Sequence, residues 1–506
     1  MNIKVLAYVV AFGTGFVSLG IEILWTRILG FTQGQTPQVF ALVLGLFLFG
    51  IVIGSAWGKR ITLMADVSII RRHASIALLC SFSVDALTPF IWAYLVGNDA
   101  VLAIPLAAVL IPISSATKAV LFPIAHHLGT TVSDVRLGRS LSSVYGLNIL
   151  GSTSGAACIG FIALEWAGTP ALLSGLSVII ALLALLLWPP SQSRVQRAVP
   201  WTVCVLLVLS IQPMQQINHS FWPMLATAGE VERIGFMAEN RSGLVHTLKD
   251  AHAGDVIYGG NVYDGRLNVD PRLNSNRIDR LILLSALHPN PKRILVIGLS
   301  GGAWVEILRH LPDVVHIDVV EIQPLYLDLI ALTPAVSGLL KDSRVHIHID
   351  DGRRWVKRNE TQRYDLIVMN TTFHWRAYIT NLLSREFLEI MQLRLQPGGI
   401  LAFNSTGSPD VLKTAEIVFS SAYRYSNFVY AANWDFRKIE SENLDKMTQL
   451  IYALLPSDEV SVKSLVEKWS TPVWVDVQEE ERLAGRTLEI ITEENLITEY
   501  KYGKPF

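Results

Sequence analysis

The chain has 506 residues, 51% of them hydrophobic and 17% charged, and its formal net charge at neutral pH is −1. Because it has no basic excess, it lacks the electrostatic footprint of a nucleic-acid-binding protein, and we expect no nucleic-acid partner. The length allows two or three domains. All three cysteines lie in apolar segments, so we expect neither a disulfide framework nor a metal site in the polar half of the chain.

Nearly all of the apolar surplus lies in residues 1–215, which we predict to form a transmembrane helical bundle with the lipid bilayer as its partner. Most of the apolar segments approach the roughly 20 residues that cross a bilayer. The last is short, so the sequence leaves open whether it crosses. The segments are 5–24, 37–57, 74–97, 99–125, 140–164, 169–189 and 198–213.

Two features of these segments predict how the helices pack. Gly50, Gly54 and Gly58 recur every four residues and indicate a close helix approach. Asp85 and Lys118 are ionisable residues inside apolar segments. They either pair or reach the interface, or they belong to a polar pathway through the bundle.

Lysine and arginine are concentrated in alternate loops between the apolar segments, which predicts a cytoplasmic N-terminus. Seven crossings would then place the rest of the chain outside. The polar half, however, contains a glycine turn typical of a site for an adenosyl metabolite, and such a metabolite is cytoplasmic. On that ground we favour the cytoplasmic side. The residues concerned are Lys59, Arg60, Arg71, Arg72, Arg136, Arg139, Arg194 and Arg197.

The polar half alternates between short strand and helix patterns. Residues 230–285 predict a small antiparallel β unit, and residues 286–440 predict a doubly wound, mostly parallel sheet. Residues 441–506 form a C-terminal extension.

A glycine turn follows the first strand of the predicted sheet. It contains Gly298, Ser300, Gly301 and Gly302, and a helix pattern begins at once. The helix amides would point at a ligand in the turn. The turn lacks the Lys-Ser/Thr ending of a triphosphate loop, so we predict a nucleoside site with an adenosyl group. The alternative is a plain αβ unit whose glycines only allow close packing.

Two further carboxylates end neighbouring strands. Glu321 lies 23 positions after Gly298, where an acid accepts hydrogen bonds from ribose hydroxyls. Asp351, followed by Gly352, ends the third strand. Because the carboxyl ends of parallel strands meet at one edge, we expect these groups to converge on the glycine turn.

The fourth strand runs into the sequence NTTFHWR, which contains Asn370, His374 and Arg376. This cluster could recognise an anionic or sugar-like acceptor, with His374 as a general base. Alternatively, it is a rigid loop in which Arg376 pairs with a carboxylate.

Several motifs resemble one known group of proteins. They are SLGIEILWTRILG in the first segment, NTTFHWRAYITNLLSREF after the fourth strand, and the final TEENLITEYKYG. The polar half resembles a spermidine synthase, an aminopropyltransferase with a Rossmann-like sheet of the class I methyltransferase type. The whole chain resembles bacterial proteins of the cytoplasmic (inner) membrane that fuse this domain to a partial major-facilitator-like bundle.

The resemblance implies S-adenosylmethionine or its decarboxylated form as co-substrate. It assigns the ribose hydroxyls to Glu321, the adenine amino group to Asp351, and the methionine-derived part to Gly298, Gly301 and Gly302. It leaves a homodimer open.

The departures from the family pattern concern the acceptor. Gly301 stands where the family has a substrate-binding aspartate, and Asn370 stands where it has the aspartate that activates the amine. We therefore expect an acceptor pocket without carboxylates. The sequence predicts a transferase, moving an aminopropyl or methyl group to an acceptor other than putrescine. The alternatives are a membrane-tethered spermidine synthase and an inactive scaffold or transport-related protein.

Overall fold

The computed structural model describes residues 2–64, 66–130, 137–190 and 193–504, and it divides into two compact units. The helical unit comprises Met1–Arg233 and Glu239–Gly243, and the α/β unit comprises Ile234–Ala238 and Leu244–Phe506. Of the predicted charged-loop residues, Arg136 lies outside the described residues.

In the described part of the helical unit, seven helical stretches are long and apolar enough to cross a membrane, judged by length and composition. A π-helical segment, Cys158–Ala163, joins α6 to α7. The helices are α1 (Ile3–Gln33), α2 (Pro37–Thr62), α3 (Val67–Asn98), α4 (Ala103–Ala119), α5 (Leu121–Gly129), α6 (Leu137–Ala157), α7 (Leu164–Trp166), α8 (Thr169–Leu187) and α9 (Arg194–Thr227).

The glycine stripe on α2 packs against the backbone of the α4–α5 segment. A Cβ atom added at Gly54 would lie 2.1 Å from the Ala116 carbonyl oxygen, and one at Gly58 would lie 2.4 Å from that of Val120. No side chain fits at such distances. The predicted close approach of helices is therefore confirmed, and it depends on the absence of Cβ atoms.

Asp85 and Lys118 form the predicted pair, with 2.7 Å between the Lys118 Nζ and Asp85 Oδ2 atoms and 1% exposure of each side chain. The ammonium also donates to the Ser81 hydroxyl, the Ser114 hydroxyl and the Ser114 carbonyl. Both hydroxyls donate to the carboxylate. Every polar atom of the pair is therefore satisfied inside the bundle.

Glu239 connects the chain after α9 to one end of the helical unit. Its carboxylate accepts hydrogen bonds from the Arg27 guanidinium at 3.0 Å, the Thr169 amide at 3.0 Å and the Trp222 indole at 2.6 Å. Thr169 begins α8, whereas the far end of α8 contacts Arg71 through the Leu187 carbonyl. Glu239 and Arg71 therefore lie at opposite ends of a helix about 28 Å long.

The segment 198–213, which we expected to be short, belongs to the 34-residue helix α9. The sequence QPGG, whose proline and glycines are typical of a turn, lies inside strand β9. This strand begins at Leu395, and its register against β8 shifts between Tyr364 and Leu366. A β-bulge absorbs the proline and glycines there.

The α/β unit begins with the predicted antiparallel sheet of β1 to β4 and continues with a seven-stranded sheet. Five strands of the larger sheet are parallel, and β10 and β11 are antiparallel additions at one edge. The orders are β1-β2-β3-β4 and β10-β11-β9-β8-β5-β6-β7. The strands are β1 (Ile234–Asn240), β2 (Gly243–Leu248), β3 (Val256–Gly259), β4 (Val262–Arg266), β5 (Arg293–Ile297), β6 (His316–Glu321), β7 (Val345–Ile349), β8 (Tyr364–Met369), β9 (Leu395–Asn404), β10 (Ser421–Tyr425) and β11 (Phe428–Ala432).

Helices cover both faces of the larger sheet, and two apolar core clusters lie between helices and sheet. This is the expected doubly wound, mostly parallel architecture. Its strand order reverses at β5, which lies between β6 and β8. The helices are α10 (Asp279–Leu287), α11 (Ala303–Leu308), α12 (Leu325–Ala331), α13 (Gly352–Arg358), α14 (Thr380–Leu383), α15 (Arg385–Arg394), α16 (Asp410–Val418), α17 (Ser441–Leu454), α18 (Glu459–Trp469) and α19 (Val477–Ala484).

Candidate nucleoside and acceptor site

The reversal of strand order at β5 brings the glycine turn beside the end of β8. The Gly298 amide donates to the Val320 carbonyl at 2.9 Å, and the Asn370 amide donates to the Ile297 carbonyl at 2.8 Å. Gly298 has a φ of +90°, and a Cβ atom there would lie 2.4 Å from the Asn370 carbonyl oxygen. The crevice at such a reversal is where ligands bind in open α/β sheets.

Glu321 ends β6 with its carboxylate directed at the glycine turn. Oε2 accepts from the amides of Leu299 at 2.7 Å and Ser300 at 3.4 Å, and Oε1 accepts from the Gln323 amide at 2.8 Å. The side chain is 5% exposed. Burial raises the pKa of Glu321 to about 7, although these amides oppose the shift.

Asp351 lies one strand further on, at the end of β7. Its Oδ1 atom accepts from the Arg354 amide at 2.8 Å and so caps α13. The neighbouring Asp350 amide donates to the Glu321 carbonyl at 3.1 Å, which places the two strand ends side by side. A Cβ atom on Gly352 would meet Ile297 Cγ2 at 2.7 Å, so glycine is needed there for packing.

A cavity of about 480 Å³ lies beside the glycine turn. Three predicted site residues line it, namely Ser300, Gly301 and Asn370. Amides and arginines form much of the remaining wall, from Asn276, Asn404, Asn427, Arg266, Arg277 and Arg280. Glu321, Asp351, His374 and Arg376 are not among the lining residues.

Gly301 faces side chains of the small β unit. A Cβ atom there would lie 2.3 Å from Ile257 Cδ1 and 2.7 Å from Leu267 Cδ2. Ile257 is 1% exposed and packs in its own apolar cluster. An aspartate at position 301 would therefore collide with the terminal methyl groups of both residues.

His374 is held between two backbone carbonyls. Its Nδ1 atom lies 2.9 Å from the Thr406 carbonyl oxygen and its Nε2 atom 3.2 Å from that of Tyr502. Both ring nitrogens therefore face carbonyl oxygens of the protein, although a neutral imidazole donates from one nitrogen only. The role of His374 as a base remains a prediction.

The expectation of a pocket without carboxylates is wrong, because Asp264 lines the cavity. Its Oδ2 atom accepts a 2.5 Å hydrogen bond from the Tyr326 hydroxyl, and its carbonyl accepts from the Ser300 hydroxyl at 2.8 Å. Burial raises the pKa of Asp264, while the nearby Arg376 charge opposes the rise. The turn-like sequence YDGR gave no sign that β4 would reach the glycine turn.

Arg376 lies close to this acid. Its Nη1 atom donates to the Thr372 hydroxyl at 3.2 Å. Burial lowers the pKa of Arg376, and the negative charge of Asp264 partly restores it. This geometry favours the alternative in which Arg376 balances a neighbouring carboxylate.

Comparison with known proteins shows what the region around the glycine turn is similar to. Residues 283–428 match the family described as the spermine/spermidine synthase domain. The chain is 36% identical over 125 residues to a polyamine aminopropyltransferase of Agathobacter rectalis, covering 24% of this chain and 43% of that protein. It is 30% identical over 186 residues to spermidine synthase 1 of Hyoscyamus niger, covering 36% and 56% respectively.

The chain thus spans about half the length of the curated relatives it matches. Among solved structures, a spermidine synthase in complex with the transition-state analogue AdoDATO is 17% identical. The match covers 46% of this chain and 88% of that one, with a TM-score of 0.38.

Proposed function

Because the chain contains a spermine/spermidine synthase domain, we propose that it is a membrane-anchored transferase that binds an S-adenosylmethionine-type nucleoside. It transfers an aminopropyl or methyl group to an acceptor other than putrescine. The observation that carries this proposal is the Glu321 carboxylate bound to the amides of the glycine turn at the reversal of strand order. The relatives' names favour aminopropyl transfer.

The residues present fit the nucleoside. A carboxylate has about four acceptor positions, and three amides occupy three of them on Glu321. One acceptor position stays open for a first hydroxyl. The hydrogen bond from the Ser300 amide, at 3.4 Å, is the weakest of the three and is the one that a second hydroxyl would displace. Two ribose hydroxyls can therefore be received at Glu321.

The sulfonium of the bound nucleoside supplies an activated alkyl carbon. The acceptor's lone pair forms the new bond to that carbon, the carbon–sulfur bond breaks, and its electron pair remains on sulfur. The proton of the acceptor must then leave. Among the cavity-lining residues of the described chain, Asp264 is the carboxylate placed to take it.

The charge of the cavity supports an acceptor other than a diamine. Arg266, Arg277 and Arg280 line it together with the single carboxylate of Asp264, which already lies near the Arg376 charge. A diamine carries two positive charges and needs carboxylates to leave water. Arg277 and Arg280, which form no ion pair among the described residues, oppose its entry.

The nucleoside part of the proposal is tested by calorimetry on the full chain in detergent. S-adenosylmethionine, its decarboxylated form and methylthioadenosine should each release heat. Losing a charge-assisted hydrogen bond costs about 1.5–3 kcal/mol, so Glu321→Ala should weaken binding roughly ten- to a hundredfold.

Glu416→Ala is the matched control, because that glutamate is exposed on α16 and pairs with Lys413. Absence of heat with all three nucleosides would contradict the transferase.

A second candidate function is a ligand-binding domain without transferase activity on the non-cytoplasmic side. This candidate is favoured by the course of α9, which runs from one end of the helical unit to the other. Near its start, Gln196 accepts a hydrogen bond from Arg72, and near its other end Trp222 donates to Glu239. If the lysine- and arginine-rich loops are cytoplasmic, the chain leaves the helical unit at the opposite end. S-adenosylmethionine-type nucleosides are cytoplasmic, so the transferase requires the polar half of the chain to lie on the cytoplasmic side.

A C-terminal reporter distinguishes the two candidates. The transferase predicts an inactive alkaline phosphatase fused after residue 504 and a fluorescent cytoplasmic reporter at the same position in a bacterial host. The same two reporters fused in the α2–α3 loop, beside Lys59 and Arg60, calibrate the cytoplasmic signal. High phosphatase activity at the C-terminus would replace the transferase with the second candidate.

A further inference from the structure

Arg280 is a buried cation that faces the cavity. It lies in the first turn of α10 and is 4% exposed. Its Nε atom donates to the Arg277 carbonyl at 2.8 Å, and its Nη1 atom donates to the Asn427 side-chain oxygen at 2.7 Å. The third bond, from Nη2, reaches the Asn276 carbonyl at 3.2 Å. All three acceptors are neutral, and a guanidinium has five N–H groups.

Among the described residues, Arg280 forms no ion pair with a carboxylate. The oxygens of the adjacent Asp279 accept from Asn274 at 2.8 Å and Tyr425 at 3.0 Å rather than from Arg280. Its charge only partly offsets the effect of burial on the pKa of Arg280. Instead, the guanidinium lies over two rings, 4.9 Å from the centroid of Trp304 and 4.5 Å from that of Phe428. Burial lowers the pKa of Arg280 to about 10, so it remains charged at neutral pH.

Some half-buried arginines of the α/β unit that do not line the cavity have carboxylate partners. Arg424 lies 2.5 Å from Glu480, and Arg486 lies 2.5 Å from Asp410. Of the other arginines in the cavity wall, Arg266 pairs with Asp250 at 2.7 Å. Burying a charge without an opposite charge is costly. Arg280 is therefore the position in this wall where an anion would be most strongly stabilised.

Arg277 extends the positive charge to the exposed side of the cavity. It is exposed, and its Nη1 atom donates to the Ser426 hydroxyl at 3.0 Å. Like Arg280, it forms no ion pair in the part of the chain that the structure describes. The two arginines thus place two cations along one wall.

A chain of amides fixes Arg280 relative to the end of β8. Asn427 donates to the Asn404 side-chain oxygen at 3.1 Å, and Asn404 donates to the Thr371 carbonyl at 3.3 Å. Thr371 follows Asn370 directly. The guanidinium is therefore held in a fixed orientation beside the residue that replaces the family's aspartate.

We propose that Arg280 and Arg277 form an anion subsite that binds a carboxylate of a substrate. The inference rests on the proposed function, whose acceptor class it narrows. A planar guanidinium fork matches the two oxygens of a carboxylate. The carboxylate comes either from the donor, which would then be S-adenosylmethionine rather than its decarboxylated form, or from an amino-acid-like acceptor.

Calorimetry on the full chain tests the subsite with two pairs of probes. S-adenosylmethionine and its decarboxylated form differ by one carboxylate, and 4-aminobutyrate differs from putrescine by a carboxylate in place of an ammonium. The second pair is titrated with and without saturating methylthioadenosine. We expect the carboxylate member of one pair to bind roughly ten- to a hundredfold more tightly than its partner.

Arg277→Gln and Arg280→Lys should both reduce that preference. Arg277 is exposed, so its substitution preserves the fold, and Arg280→Lys keeps the charge but loses the fork. Arg272→Gln is the control, because Arg272 is exposed and pairs with Asp270 outside the cavity. Methylthioadenosine, which has no carboxylate, should bind all variants equally.

Each outcome assigns or removes the subsite. A preference within the nucleoside pair identifies the donor's carboxylate, and one within the amine pair identifies the acceptor's. If the wild-type protein shows neither preference but still binds methylthioadenosine, the subsite is overturned and the proposed function remains intact. An arginine-dependent preference for 4-aminobutyrate without any nucleoside binding would retain the subsite and remove the transferase.

Discussion

Lys118 in the helical unit and Arg280 in the α/β unit are both almost completely buried cations, yet their surroundings differ. Lys118 lies 2.7 Å from Asp85, and two serine hydroxyls complete the pair. Arg280 has neutral acceptors and aromatic rings around it and opens on a cavity. A buried charge paired with its opposite stabilises the fold, whereas the charge of Arg280, which has no ion pair among the described residues and faces a cavity, is available to a ligand.

The same distinction separates the carboxylates. Asp85 is matched by Lys118 and by two serine hydroxyls. Glu321 is surrounded by backbone amides, and its pKa is raised to about 7 by burial. A ligand that supplies further hydrogen-bond donors would therefore stabilise the ionised form of Glu321. Substitution of a matched charge should therefore change mainly stability, and substitution of an unmatched charge should change mainly ligand binding.

The largest effect is expected on putrescine turnover. With decarboxylated S-adenosylmethionine and putrescine, we expect the purified protein to form product roughly 10²–10⁴-fold more slowly than ordinary synthases. Proton transfer by a positioned side chain accelerates a reaction by about that factor. The Asn370 amide cannot take a proton at physiological pH, and the arginines of the cavity wall repel a dication.

The assay measures spermidine formation by wild type beside Asn370→Asp. Two silent proteins would support another acceptor, since one restored acid does not remove the guanidinium groups. Wild-type turnover near that of ordinary synthases would contradict both the acceptor claim and the contrast between the two units.

The next effect is on stability. Lys118→Met should lower the free energy of unfolding by about 3–5 kcal/mol, because Asp85 would be left buried without its partner. Thermal unfolding in detergent measures the loss. The double variant with Asp85→Asn should recover most of it, and Lys59→Met, on the exposed last turn of α2, should have little effect.

The affinity of the Lys118→Met variant for methylthioadenosine should be unchanged at a temperature at which it is folded. A large change in affinity without a change in stability would show that the pair belongs to a binding pathway instead, as the sequence had left open.

The elements that local pattern determines were predicted well. Strand β8 (Tyr364–Met369) ends directly before the sequence NTTFHWR, as predicted for the fourth strand, because an apolar, β-branched run ends there at a polar cluster. The glycine turn was recognised because its positive φ values at Gly298 and Gly302 require that residue type. The glycine stripe on α2 was found for a similar reason, since only a missing Cβ allows the observed approach.

What depends on long-range packing was missed. Asp264 precedes the glycine turn by a whole helix, and no periodicity shows that β4 lies against Ser300. The pattern of α10 indicates an apolar helix but not that Arg280 faces a cavity. The last apolar segment was drawn only as far as residue 213, yet Pro213 and Pro223 both lie inside helix α9. Proline is tolerated in such helices more readily than in soluble ones.

The smallest expected effect is the pH dependence of nucleoside binding. The pKa of Glu321 is raised from 4.5 to about 7, so the protonated carboxyl is favoured in the empty folded protein. This contribution to stability is complete below pH 4.5 and is lost as the pH rises through 7. Ribose hydroxyls donate to the ionised form, so binding favours deprotonation.

The affinity for methylthioadenosine should accordingly fall about tenfold between pH 8 and pH 6, as expected for one proton released on binding from a group with a pKa near 7. Calorimetry in buffers of different ionisation enthalpy counts that proton directly. Glu321→Gln, which cannot ionise, should bind weakly and independently of pH. A wild-type affinity that is flat across this range would mean that Glu321 does not receive the nucleoside, and that its burial among the turn amides is structural, like that of Asp85.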